Sequence, residues 1–151
     1  MITQLDVPIY NANILFLIET TAEEFSAFMD NKTNKDKMTD NEVMLVMKDI
    51  ADISYGGFTM SLDAGGYVVF MRECHRAFYY VHEIYHVCDR ILKQRGVEHT
   101  LDDEAYAYLV GWLVEEYLAI IEEHKAEIRK NKKKKTTPKT KRHEQRKKKT
   151  T

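Results

Sequence analysis

A chain of 151 residues that is 44% hydrophobic and 11% aromatic can bury one core, so a single folded domain is the expectation. Its formal charge of −1 conceals opposed parts: residues 1–123 carry nine Lys/Arg against 22 Asp/Glu and residues 124–151 fourteen against two, an acidic body (−13) with a basic tail (+12). The first apolar run, 14–18, is too short for a signal peptide or a membrane span, and no Lys or Arg precedes it; the expectation is a soluble protein of a reducing, cytoplasmic compartment with no membrane contact.

In chain order, residues 13–18 (NILFLI) form a branched apolar run that predicts a buried strand. Thr21 and Glu24 have the spacing of a capping box, opening a helix from Ala22 to about Met29 with Phe25, Phe28 and Met29 on one side. The polar stretch 30–37 predicts a loop. A second capping box, Thr39 and Glu42, opens a helix through Val43, Val46, Met47, Ile50 and Ile53, whose first part also suits a strand, and Gly56-Gly57 is its stop. Residues 58–63 alternate apolar and polar as a half-buried strand does, 64–66 supply a turn, and 67–71 (YVVFM) are apolar throughout. Together they predict a hairpin whose second strand is covered on both faces.

A helix follows within 76–95 and is stopped by Gly96. Thr100 and Asp103 have the spacing of a third cap, for a helix from Leu101 to about His124, and its segment 105–114 (AYAYLVGWLV) holds no charge, which predicts cover on most of its sides. From Lys125 the composition changes, with lysine blocks at 132–135 and 147–149 and Pro138 between them. Such a segment cannot bury enough surface to offset chain entropy, so disorder is expected beyond about Lys130.

Chemistry concentrates in the helix at 76–95, which contains His82-Glu83-Ile84-Tyr85-His86. At about 100° per residue, His82 and His86 project from one face a turn apart, as two imidazoles must to grip one cation, with Glu83 beside them. Chance would place such a pentapeptide about 0.02 times in a chain with six His and fourteen Glu. The bland alternative is two surface histidines flanking a glutamate on a solvated face. Phe78, Val81, Ile84, Tyr85, Cys88, Ile91 and Leu92, three and four apart, predict the buried stripe opposite. His75 reads as a helix-start residue, Tyr79 as a half-buried rim residue and Asp89 as a salt-bridge partner. Cys88, on the apolar face, reads as a reduced buried thiol rather than half of a bridge to Cys74.

A His-Glu-x-x-His helix after a sheet, with a carboxylate at the start of the next helix, resembles the zincin metallopeptidases, in particular the branch whose third metal ligand is a glutamate. The stretches HEIYHVCDRILKQRG and DDEAYAYLVGWL are similar to small zincin-like proteins encoded by bacterial phages and prophages. The resemblance covers about residues 55–120 and implies an α+β fold: a short sheet, made of the hairpin and the N-terminal strand, packed on the motif helix, with a long C-terminal helix. Residues 1–124 are then a zincin-like metal-binding domain and 125–151 a disordered Lys-rich tail. It implies Zn2+ held by His82, His86 and Glu104, with Asp103 and then Asp89 as rivals to Glu104. Glu83 becomes the general base for a water at the fourth zinc position, which attacks a peptide carbonyl. The implied partner is a protein or peptide substrate, held extended on one hairpin strand, 58–63 or 67–71. Where the thermolysin-like branch has an aspartate four residues after the ligand glutamate, this chain has Tyr108.

A competing class is a non-catalytic interaction protein whose tail binds nucleic acid or acidic surfaces through charge. No aromatic lies between the tail's basic residues to stack a base, so such binding would be nonspecific.

Overall fold

The computed structural model describes residues 1–34, 37–54, 56–99 and 103–136, the last six by backbone alone. Two compact units divide it, Met1–Tyr117 and Leu118–Thr151. The first is α+β, with strands β1 (Ile2–Val7), β2 (Ala12–Ile18), β3 (Gly57–Ser61) and β4 (Tyr67–Met71), helices α1 (Ala22–Met29), α2 (Asp40–Ala51) and α3 (Ala77–Gln94), and the first part of α4 (Asp103–Thr136).

The four strands form one sheet in the order β1-β2-β4-β3. The central pair, β2 and β4, is parallel, from Ile14 opposite Tyr67 to Ile18 opposite Met71, and each outer strand is antiparallel to its neighbour. A parallel pair needs cover on both faces; accordingly all of β4 and the last five residues of β2 are buried. Alternation then sorts the side chains. Leu15, Leu17, Val68 and Phe70 turn to one face and pack with Phe25 and Met29 of α1 and Val46 and Ile50 of α2. Their neighbours turn to the other face, where Phe16 meets the Tyr117 ring of α4 at 5.8 Å and the Tyr67 hydroxyl donates to Gln94 of α3 at 2.6 Å.

Local signals hold the helix ends. In the first capping box the Glu24 N–H donates to Thr21 Oγ1 (3.2 Å) and the Thr21 N–H to Glu24 Oε2 (3.0 Å). The second, Thr39 with Glu42, does more, because the buried Glu42 carboxylate also accepts the Asp63 N–H at 2.7 Å and so staples α2 to the β3–β4 connection. Gly96 stands just past α3 at φ +73°. Its N–H donates to the Lys93 carbonyl and the Val97 N–H to the Leu92 carbonyl, each at 3.0 Å, the paired bonds of a Schellman end.

Several expectations need correction. β1 was not anticipated, although Leu5 and Val7 alternate with Gln4 and Asp6. α2 stops at Ala51 on the extended backbone of Asp52, leaving Ile53 86% exposed, so the glycines at 56–57 do not end it. On α3 the buried stripe is Glu83, Ile84, Val87, Cys88, Ile91 and Leu92, while Phe78, Val81 and Tyr85 are exposed. The uncharged run of α4 is not covered on most sides: Tyr106, Leu109, Leu113 and Tyr117 make one buried stripe and Tyr108 is 76% exposed. Tyr108, Leu109 and Trp112 of this run line a groove with Val7, Pro8, Ile9 and Tyr10.

α4 continues to Thr136, past the expected end near His124, since Ala, Glu, Lys and Arg are good helix formers and Lys125 pairs with Glu122 at 2.9 Å. The rest of the basic tail, 137–151, and the expected cap at Thr100 lie outside the described residues. Among those residues no helix is long and apolar enough to cross a membrane.

Candidate metal centre

α3 brings His82 and His86 together on its exposed face, Nε2 to Nε2 3.1 Å, with ring centroids 4.5 Å apart and planes at 89°. Two nitrogens bound to one tetrahedral zinc at its usual bond length lie about 3.3 Å apart, so the pair suits two positions of one ion. Without a metal, the same separation is a hydrogen bond from one ring N–H to the other ring's nitrogen. The exposed aromatics that sequence periodicity assigned to the core instead flank these imidazoles. The Phe78 ring lies nearly parallel to His82 (6.0 Å, 20°), and Tyr85 stands edge-on to His86 at 6.3 Å. From Tyr85 the ring contacts continue through His99 at 6.4 Å to Tyr106 of α4 at 4.5 Å.

Glu83, beside them on the helix, is buried in the packing between α3 and β3. The Thr59 hydroxyl lies 2.8 Å from its Oε2 and 3.1 Å from its backbone oxygen. Glycine makes this approach possible. A Cβ at Gly57 would stand 2.7 Å from the Phe70 carbonyl oxygen and 2.9 Å from Glu83 Cγ, and one at Gly56 would stand 2.3 Å from the Tyr79 ring. Tyr79 and Glu83, one turn apart, thus lie in a slot that two glycines leave open, and this sets the rotation of α3 that turns Glu83 and Val87 inward. In sequence the two glycines suggest a helix stop; their place beneath α3 gives them this role instead.

Of the two hairpin strands, β4 is internal and β3 is an edge strand of the sheet. The Arg72 N–H donates to the Gly56 carbonyl and the Leu62 N–H to the Gly66 carbonyl, which sets the alternation of the ladder. Gly57, Thr59 and Ser61 therefore turn their peptide groups away from β4. The Thr59 carbonyl is already engaged, accepting from Arg90 Nη1 at 2.6 Å.

Glu104 lies in the exposed first turn of α4. Among the described residues neither it nor Asp103 nor Asp89 comes within 4.8 Å of both imidazoles as a three-donor group. Asp89 has other partners: Oδ1 accepts from the Tyr106 hydroxyl at 3.2 Å and Oδ2 from Lys93 at 2.8 Å. Burial pushes its carboxyl up, but the Lys93 and Tyr106 bonds outweigh burial and hold it below the usual carboxylate range. The Tyr106–Asp89 bond also shows where α4 crosses α3, about a turn beyond His86.

One three-donor group does meet among the described residues: Glu19, Cys74 and His75 offer ligand atoms all within 4.8 Å of one another. From spacing alone His75 belongs to the helix start and Cys74 is no more than a bridge candidate. The adjacent Cys-His pair was the available signal; Glu19 had none. Cys74 and Cys88 are not disulfide-bonded, and Cys88 is fully buried, which pushes it up to about 12 and leaves it inert. Comparison with family models, curated proteins and solved structures returned no match to this chain.

Proposed function

We propose that this protein is a zinc-dependent, peptidase-like hydrolase resembling the zincins, with Glu83 as its general base. The observation that carries the reading is the pairing of His82 and His86 at 3.1 Å on an open helix face, next to a glutamate held against the edge strand β3. His82 and His86 would hold the zinc, and Glu104 is the carboxylate proposed for the third protein position. Bound zinc supplies Lewis acidity, which polarises a carbonyl and makes water a stronger acid.

The chain's own groups do the rest. Glu83 takes the proton of the attacking water and delivers it to the departing amine. With Oε2 engaged by Thr59, Oε1 is the oxygen proposed to carry that proton. An extended peptide would add to the outer edge of β3, and the exposed Phe78 and Tyr85 would flank its side chains. Two cysteines outside any disulfide fit the proposed reducing, cytoplasmic setting.

Metal content and turnover of a quenched-fluorescent peptide library test this reading. His82→Ala should lose one equivalent of zinc. Glu83→Gln should keep it, while hydrolysis falls by about 10²- to 10⁴-fold. Zinc content unchanged by His82→Ala, or undiminished hydrolysis in Glu83→Gln, overturns the assignment.

A further inference from the structure

The parallel pairing of β2 and β4 ends both central strands at the same level, Ile18 opposite Met71. The residues that follow them are therefore neighbours in space. The Glu19 N–H donates to the Met71 carbonyl at 2.8 Å, and the Cys74 N–H donates to Glu19 Oε1 at 3.2 Å. A third bond fixes the turn from the α4 side, the Tyr117 hydroxyl donating to the Cys74 carbonyl at 3.2 Å.

Glu19 holds φ +49°, a left-handed conformation that costs a glutamate energy and that surrounding structure has to enforce. The result is a carboxylate, a thiol and an imidazole whose ligand atoms lie within 4.8 Å of one another. Glu73, whose Oε2 pairs with Arg76 Nε at 2.5 Å, stands 3.9 Å from His75 Nε2 and adds a further carboxylate beside the group. Glu19 and His75 are exposed and Cys74 half-buried, so an ion can enter without opening the fold.

We infer that Glu19, Cys74 and His75 form a second metal site, distinct from the imidazole pair on α3, that takes zinc or a similar divalent transition ion. The donor set decides the class of ion. Calcium and magnesium take oxygen ligands, whereas one thiolate, one imidazole and one carboxylate suit zinc and its neighbours. Three protein donors leave a tetrahedral ion one open position. Bound there, the ion ties the end of β2 to the turn that leads into α3.

Cobalt(II) is the probe, applied to the full chain carrying His82→Ala and His86→Ala, so the outcome is independent of the reading of those histidines. One equivalent should bind with a thiolate-to-cobalt charge-transfer band in the near ultraviolet. Cys74→Ser should abolish the band, and Glu19→Gln or His75→Ala should weaken binding by more than about 100-fold, the upper range for losing a mere supporting residue. Zinc should also slow alkylation of Cys74, the accessible thiol, with native far-ultraviolet dichroism confirming that each variant folds. Absence of the band together with metal-independent alkylation overturns the inference. So does a band that survives Cys74→Ser.

Discussion

His82 and His86 meet because one turn of helix separates them, whereas Glu19 meets Cys74 across 55 positions of chain because β2 and β4 end side by side. The first arrangement needs only that α3 be helical. The second depends on the register of a parallel pair, on the turn after β4 and on a strained residue after β2. Local geometry of the first kind is written in the spacing of the sequence, and geometry of the second kind appears only once the sheet is assembled. The two groups should accordingly fail independently, and substitutions can be chosen to show it.

The largest effect is expected at the imidazole pair. His86→Ala should lower zinc affinity on α3 by more than about 100-fold while leaving the alkylation rate of Cys74 in zinc unchanged. If protection of Cys74 is lost as well, the two groups are not separate sites. Glu104→Ala should act like His86→Ala and Asp103→Ala far more weakly. Full zinc occupancy in Glu104→Ala would move the third ligand to another carboxylate and make Asp103 the next to test.

A smaller effect tests the slot beneath Glu83. Gly57→Ala places a Cβ 2.7 Å from a backbone oxygen, which cannot swing aside, so about 1–3 kcal/mol of stability should be lost in urea unfolding. Hydrolysis should fall too, because Glu83 Cγ stands 2.9 Å from the same point. Gly111→Ala on α4 is the control: nothing lies within 4 Å, and alanine is the better helix former, so stability should hold or rise by up to about 1 kcal/mol.

Glu42 offers a contrast in pH. Burial pushes its carboxyl up, but the N–H groups of Thr39 and Asp63 and the Thr39 hydroxyl outweigh burial and leave it below the usual carboxylate range. Its contribution is therefore complete above the ordinary glutamate value of about 4.3 and is lost as pH falls through the lower native value. Glu42→Ala should cost about 1–2 kcal/mol at neutral pH, and the gap to wild type should narrow in acid. A gap that is the same at both pH values would mean that the charge of Glu42 is not what holds α2 to Asp63.

These contrasts also explain what could be read before the fold was known. Both capping boxes, the stop at Gly96 and the double cover of β4 are decided by a few adjacent residues, and all are present. The phase of the apolar stripe on α3 is decided elsewhere. Phe78, Val81 and Tyr85 have core-like spacing, but Gly56 and Gly57 of another element rotate Glu83 inward instead. The uncharged run of α4 misled for a related reason, since hydrophobicity without charge does not say how many neighbours will be available to cover it. The histidine pair needs only helical spacing, whereas whether Glu104 can reach it depends on how α4 crosses α3, which no spacing reports. Glu19 was invisible, being one carboxylate among many until strand pairing set it beside Cys74.

The smallest expected effect falls on the edge of β3, where the two kinds of geometry meet. A peptide adding to β3 would seek the outward groups of Gly57, Thr59 and Ser61, and Arg90 of α3 occupies the middle carbonyl of the three at 2.6 Å. Exposed edges invite unwanted strand pairing, and a charged side chain laid across one blunts it. Arg90 therefore both protects the edge and competes with the ligand that the edge is proposed to hold. Arg90→Ala should cost about 0.5–1.5 kcal/mol of stability, the worth of one hydrogen bond, and lower KM for an extended peptide by up to about tenfold with kcat unchanged. The split matters, because KM moving alone marks binding shared by ground state and transition state, whereas a fall in both kcat and kcat/KM would place Arg90 among groups that act only in the transition state. An unchanged KM would remove β3 as the docking strand without touching the imidazole pair, and the search for the peptide's path would move to the aromatic rim formed by Phe78 and Tyr85.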